Sequence, residues 1–334
     1  MDDKFLNKIT GLYNFPAKMA IHKMSSDKEV FKLADENGNE YFLKIYDKHG
    51  GDDMEQGVNI YHTHEQIKLE MDIMDTVTSA IHTARPVRNK KDEWISELGR
   101  SKFATITSFV YGEPMEKSDS PREEMAFNTG ITVARMHFAS SDGDLMELAK
   151  KRPHKRQGYI EKMRKILARG IDIGTLSQQQ FEMLSQCCGV VVECMTSLDE
   201  DPLYNIGLVH TDIRWANLLY SNYKAIPIDF TRSVYSYYLY DLGEMCAHMG
   251  GPDIQSAILR GYHSVKPLKE KHFFAIQAFF VMFLMMVMAE SIETLESPWR
   301  LQVLQTFEEK YHPGLTTGKG FFTWEETDFW QVIR

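Results

Sequence analysis

Asp212, Asn217 and Asp229 are the residues of this chain whose types and spacing could do chemistry. A carboxylate is followed five residues on by a carboxamide and seventeen residues on by a second carboxylate. Two short apolar runs frame them: Gly207, Leu208 and Val209 lead into His210, and Ala225, Ile226, Pro227 and Ile228 lead into Asp229. Strands at those runs would end in loops that aim the three oxygen-bearing side chains into a cleft. Phosphoryl transfer needs such a set: one group as base for the attacking hydroxyl, and two to ligate the magnesium that bridges nucleotide phosphates.

Residues 210–217, HTDIRWAN, resemble the H-G-D-x-H-x-x-N motif of the aminoglycoside phosphotransferase and choline kinase superfamily, and Ile228-Asp229-Phe230 resembles its I-D-F motif. The likeness runs over most of the chain, residues 29–289. It implies an α+β, bilobal protein-kinase-like fold. Residues 1–110 would form a small antiparallel sheet with one main helix, and residues 111–334 a mostly helical lobe. It also implies ATP and Mg2+ as cofactors, Asp212 as catalytic base, Asn217 and Asp229 as metal ligands, and a hydroxyl of a small molecule as acceptor.

The elements that must hold these residues follow in order. Residues 1–15 read as a short amphipathic helix and 19–24 as a strand. Residues 29–34 and 40–46 read as two more strands, and the Asn37-Gly38 pair supplies the turn between them. In the resemblance the phosphate loop is residues 25–28, with Ser25 and Ser26, although no GxGxxG is present. Lys44 lies among apolar neighbours one hairpin later. A lone lysine in a strand usually faces water; its position after the loop assigns it to the nucleotide phosphates. Residues 60–80 have helical spacing at Ile67, Met71, Met74 and Val77. The resemblance makes Glu70 the partner of Lys44, with Glu65 as competitor. His62 and His64 show no metal spacing and read as surface or capping residues. Strands at 93–98 and 102–110 lead to Tyr111-Gly112-Glu113-Pro114, which resembles the interlobe linker that binds the purine, so Phe109 and Tyr111 are nucleotide candidates.

Beyond the linker, residues 127–138 read as a helix whose end resembles the family's A-x-L-H, with His137 as a packed core histidine. The basic run 150–165 reads as a solvated linker and helix face, the sharper alternative being a contact for an anionic partner. Residues 176–197 read as a further helix. Tyr240-Asp241-Leu242-Gly243 resembles the family's Y-D-L-A, with Asp241 as a hydrogen-bond acceptor or cap. Residues 273–289 approach membrane length, but Gln277 and the Met-rich, aromatic composition favour a buried core helix over a span.

Two positions leave the motif. Thr211 stands where the family has glycine, and Arg214 where it has a second histidine. Arg214 would depress the pKa of Asp212, bind a substrate anion or point away; with Arg232 it leans the reading toward an acceptor carrying its own anionic group. That makes a polycationic aminoglycoside less expected than an amino alcohol, amino acid or sugar-like substrate. The first lobe is nearer in flavour to homoserine-kinase-like members than to resistance enzymes. Two further readings stay open: a protein kinase of the stress-response kinase A type, and a non-catalytic nucleotide-binding interaction protein.

Composition limits the rest. The net charge of -9 argues against nucleic acid as partner. The four cysteines form no metal-type pair, and the polar, acidic start does not read as a secretory signal, so a cytoplasmic location is expected. No membrane partner is expected, and a homodimer is left open.

Overall fold

The computed structural model describes residues 3–16, 19–25, 28–47, 63–99, 102–293 and 298–322. Ser26, His62 and the charged connection after Asp47 lie outside these residues. Contacts divide the chain into two compact units, Met1–Gly112 with Pro227–Arg232, and Glu113–Ile226 with Ser233–Arg334.

The first unit opens with α1 (Asp3–Thr10) and strands β1 (Met19–Lys23), β2 (Val30–Asp35) and β3 (Glu40–Asp47). Then come α2 (His64–Val77), β4 (Pro86–Val87), β5 (Ile95–Glu97) and β6 (Lys102–Ser108). The strands make one antiparallel sheet in the order β1-β2-β3-β6-β4, with β5 also on β6. The β2–β3 turn closes as its sequence dictates. Asp35 Oδ1 accepts the N–H groups of Asn37 and Asn39 at 2.9 and 2.8 Å, while Gly38 takes the left-handed φ of 82°. Strand alternation then sorts the side chains. Leu33, Leu43, Ile45, Ala104 and Ile106 pack with Leu6, Ile9 and Tyr13 in one core, and Lys44 between Leu43 and Ile45 is left for the other face. In α2, Thr63 caps the N-terminus by accepting from Gln66 N–H, and Glu70 is buried along with Ile67, Met71, Met74 and Val77.

The second unit contains β7 (Glu113–Pro114), α3 (Arg122–Ala139), α4 (Gly143–Ala149), β8 (His154–Lys155), α5 (Gln157–Asp172) and α6 (Gln178–Asp199). It continues with β9 (Ile206–Val209), β10 (Leu218–Ser221), β11 (Lys224–Pro227), β12 (Val234–Tyr237), α7 (Leu239–His248), α8 (Pro252–His263) and α9 (Glu270–Glu290). The strands form two small sheets, β11-β10-β7 and β8-β12-β9. Asn222 and Tyr223, both at positive φ (49° and 58°), turn β10 into β11. The long apolar α9 lies inside the unit: 83% of its most apolar stretch is buried. It meets α7 closely, for a Cβ on Gly243 would stand 2.6 Å from Phe280 N. Glycine is likewise required where α8 meets α3, since a Cβ on Gly261 would stand 1.9 Å from Phe127 O.

The basic run keeps most of its expected solvated face, with Lys150, Lys151, Lys162, Arg164 and Lys165 exposed, but two residues depart from it. Arg152 and Lys155 are buried. Arg152 Nε donates to Ser233 O at 2.8 Å, and Lys155 Nζ donates to Tyr240 OH at 3.3 Å. The residues around β8 are drawn inside because β8 pairs with β12; the long stems bury while their donors find oxygen.

Candidate active site

In the second unit the loop between β9 and β10 carries residues 210–217. Its first turn hangs on one carboxylate: Asp241, in the first turn of α7, accepts His210 N–H on Oδ2 and Thr211 N–H on Oδ1, both at 2.8 Å. His137 Nε2 lies 3.0 Å from Asp241 Oδ2, and its Nδ1 lies 2.9 Å from Tyr262 OH. Burial holds the His137 ring below its ordinary pKa despite Asp241, so the neutral ring donates from Nε2 and accepts from Tyr262. Burial works to raise Asp241, but the bonds from His137, His210 and Thr211 outweigh it and hold the carboxylate below its usual range. His137 is thus the packed core histidine expected, and Asp241 the hydrogen-bond acceptor. Thr211 takes φ 54°, a left-handed conformation that is costly for a β-branched residue, and its N–H bond to Asp241 helps hold it there.

Asp212 follows, 9% exposed. Arg214 Nε stands 3.1 Å from Asp212 Oδ1, so the arginine that replaces the motif histidine does not point away; it is turned onto Asp212. Asn217 Nδ2 donates to Asp212 O at 3.0 Å, which leaves its amide oxygen as the end able to ligate a cation. The structure also brings Glu244 and His248, one helical turn apart on α7, to Asp212. One ligating atom from each of the three lies within 4.8 Å of the others. Glu244 is buried, and His248 Nε2 stands 3.8 Å from Glu244 Oε1. Sequence reading singles out neither. Their i, i+4 spacing after Asp241 is visible in the chain, but only the tertiary fold shows which face α7 turns to Asp212.

In the first unit, Lys44 Nζ donates to Thr231 Oγ1 at 3.2 Å and lies 3.5 Å from Asp229 Oδ1. Thr231 Oγ1 in turn lies 3.1 Å from Glu70 Oε1 and 2.5 Å from Asp229 Oδ1. Lys44 and Glu70, paired from sequence, therefore meet on Thr231, which sequence reading passes over. Burial works against the Lys44 charge; Tyr46 and the carboxylates of Asp229 and Glu70 overcome it and hold the ammonium above its ordinary pKa. Asp229 has φ 65° and a side chain 41% exposed, so one carboxylate face stays accessible to a cation. The oxygen donors of Asn217 and Asp229 are of the hard type that magnesium takes.

The remaining candidates are spread along the first unit. Ser25 Oγ accepts Lys28 N–H at 3.3 Å. Phe109 N–H donates to Glu40 O at 2.9 Å, so that linker donor is engaged by the sheet. Tyr111, 61% exposed, donates its hydroxyl to Glu40 Oε2 at 2.5 Å; Lys32 Nζ lies 2.6 Å from the same oxygen and 4.4 Å over the Phe109 ring. Arg232 is exposed at the end of the Phe230–Arg232 turn.

Residues 21–272 match the sequence model of a phosphotransferase enzyme family. No curated protein matches the chain. Solved structures do. An amicoumacin kinase in complex with AMP-PNP, Ca2+ and Ami superposes with a TM-score of 0.67 at 19% identity, over 99% of this chain and 97% of that one. A microcompartment-associated aminopropanol kinase gives 0.65 at 14%, over 96% and 99%. An aminoglycoside phosphotransferase from Alicyclobacillus acidocaldarius gives 0.61 at 15%, over 92% and 93%. At these identities the likeness is one of fold: an antiparallel sheet in the N-terminal part and helices in the C-terminal part, as in kinase-like proteins.

Proposed function

The chain belongs to the phosphotransferase enzyme family, and from that premise we propose that it moves the γ-phosphate of ATP to the hydroxyl of a small alcohol that also carries an amine. The observation behind the acceptor class is the convergence of Asp212, Glu244 and His248 within 4.8 Å. An acceptor ammonium beside the Asp212 and Glu244 side chains would donate charge-assisted hydrogen bonds to their oxygens, while its neighbouring hydroxyl reaches Asp212. Arg214 directs its Nε at Asp212 with its side chain 48% exposed, and an acceptor carrying its own anionic group is the second reading. Aminopropanol and aminoglycosides, named for two of the structural neighbours, are alcohols of the amine-bearing kind.

In this reading Asp212 accepts a hydrogen bond from the acceptor hydroxyl, orients it for in-line attack and takes the proton late. Arg214 fixes the carboxylate's orientation. Glu244 and His248 hold the amine. Lys44 bonds the nucleotide phosphates, helped by Ser25, and the linker around Phe109 and Tyr111 receives the purine. Asn217 and Asp229 would hold magnesium, which neutralises phosphate charge when bound.

The test is ATP consumption over amino alcohols, amino acids, sugars, choline-like compounds and aminoglycosides, with Asp212→Asn and Glu244→Gln beside the wild type. The expected pattern is turnover on an amino alcohol, a fall of at least about 100-fold in kcat for Asp212→Asn with nucleotide affinity kept, and for Glu244→Gln a raised acceptor KM with ATP KM unchanged. Turnover surviving in Asp212→Asn would sink the base assignment. Preference for amine-free sugars would sink the acceptor class.

A further inference from the structure

We propose that Thr231 is a positioning residue that couples the metal-facing aspartate to the phosphate-facing lysine; this rests on the phosphotransferase reading above. Its hydroxyl is surrounded by one cation and two anions: Lys44 Nζ at 3.2 Å, Glu70 Oε1 at 3.1 Å and Asp229 Oδ1 at 2.5 Å. An ammonium only donates, so the hydroxyl accepts from Lys44. It has a single proton, which goes to Asp229 or to Glu70 but not to both. Thr231 N–H also faces Asp229 Oδ1, at 3.3 Å. The short Thr231–Asp229 contact favours Asp229 while that carboxylate holds no cation.

Were Asp229 to hold a divalent cation, its oxygens would accept less well, and the Thr231 hydroxyl would donate to Glu70 instead, completing the chain Lys44–Thr231–Glu70. Both Thr231 and Glu70 are buried, where such bonds are stronger than in water and an unpaired partner costs more. The β-branched side chain is stiff about χ1, so the hydroxyl stays between its partners while only its proton moves. The lysine is thereby set firmly when the cation is present. Sequence alone shows only a small polar residue after Asp229-Phe230.

The test is calorimetric binding of ADP with and without Mg2+ to wild type, Thr231→Val and Thr231→Ser, with a melting temperature for each. The quantity read is the gain in ADP affinity that Mg2+ confers. The expected result is that Thr231→Val loses about tenfold of that gain, one charge-assisted hydrogen bond's worth, while Thr231→Ser keeps it. A fold role alone would lower the melting temperature of Thr231→Val and leave the gain intact, which overturns the proposal; so does a Thr231→Ser that behaves as Thr231→Val. If Thr231→Val does not fold, Thr231→Ala against Thr231→Ser gives the same comparison. Wild type that binds no ADP with Mg2+ overturns the phosphotransferase reading and this proposal together, whereas a binding wild type with an unaffected Thr231→Val overturns this proposal alone.

Discussion

At the scale of the residue, Asp241 organises the first turn of the loop between β9 and β10. Its two oxygens each take one backbone N–H, and His137 donates to one of them as well. A carboxamide of the same shape has one accepting end and one donating end. Asp241→Asn would set its NH2 against the N–H of His210 or of Thr211. We expect a loss of about 2–4 kcal/mol in unfolding free energy, read from urea titration, because a charged, buried acceptor of several bonds is removed. Thr211, already at a costly φ, would lose its anchor, so kcat should fall more than ATP KM. A variant as stable as wild type would show that the loop is held by other contacts. The same scale explains why Thr231, Glu244 and His248 were not legible beforehand. Their roles depend on which residue lies opposite them in the fold, and no spacing in the sequence records that.

At the scale of the element, much was legible. The Asp35–Asn39 turn, the strands around it and the buried helix at 273–289 follow from turn residues, alternation and apolar length, which act locally. The basic run 150–165 was legible in its exposed lysines and outer helix face but not at Arg152 and Lys155, because the short strand β8 joins β12: Lys155 lies opposite Ser236, a partner 81 residues away. Placement of the site also depends on contacts between helices. Asp241 and Glu244 lie on α7, whose distance from α9 is set by Gly243. Gly243→Ala puts a methyl 2.6 Å from Phe280 N and 2.7 Å from Phe279 Cβ, so backbone must shift. The expected cost is about 1–3 kcal/mol. Since α7 carries both carboxylates, acceptor KM should rise along with the loss of stability. The check is to measure both in one variant: lowered stability with an unchanged acceptor KM would mean that α9 moves and α7 does not.

At the scale of the whole molecule, buried titratable groups set the response to acid. His137, His263 and His272 all have pKa values lowered from 6.5, in each case first by burial. For His272 the bond to Asp201 opposes that shift, whereas His263 Nδ1 accepts Leu268 N–H, a bond that the neutral ring makes. A group whose folded pKa is depressed contributes stability that is complete above its unfolded value and is lost as pH falls toward the folded one. The unfolded chain takes up these protons near pH 6.5, and the folded chain resists them. Stability should therefore hold from about pH 8 to about 7 and decline as pH falls from about 6.5, well before most carboxylates titrate. Asp241 and Asp201, both with lowered pKa, extend the decline below about pH 4 by the same sign. Urea midpoints at constant ionic strength between about pH 8 and 4 test this, with His137→Gln beside the wild type. His137→Gln should lower the midpoint at about pH 8, because a core bond is perturbed, and flatten the slope between about pH 6.5 and 5, because one buried imidazole no longer resists protonation. A wild-type midpoint constant from about pH 8 to 5 would mean that these rings accept protons in the folded state as readily as in the unfolded chain.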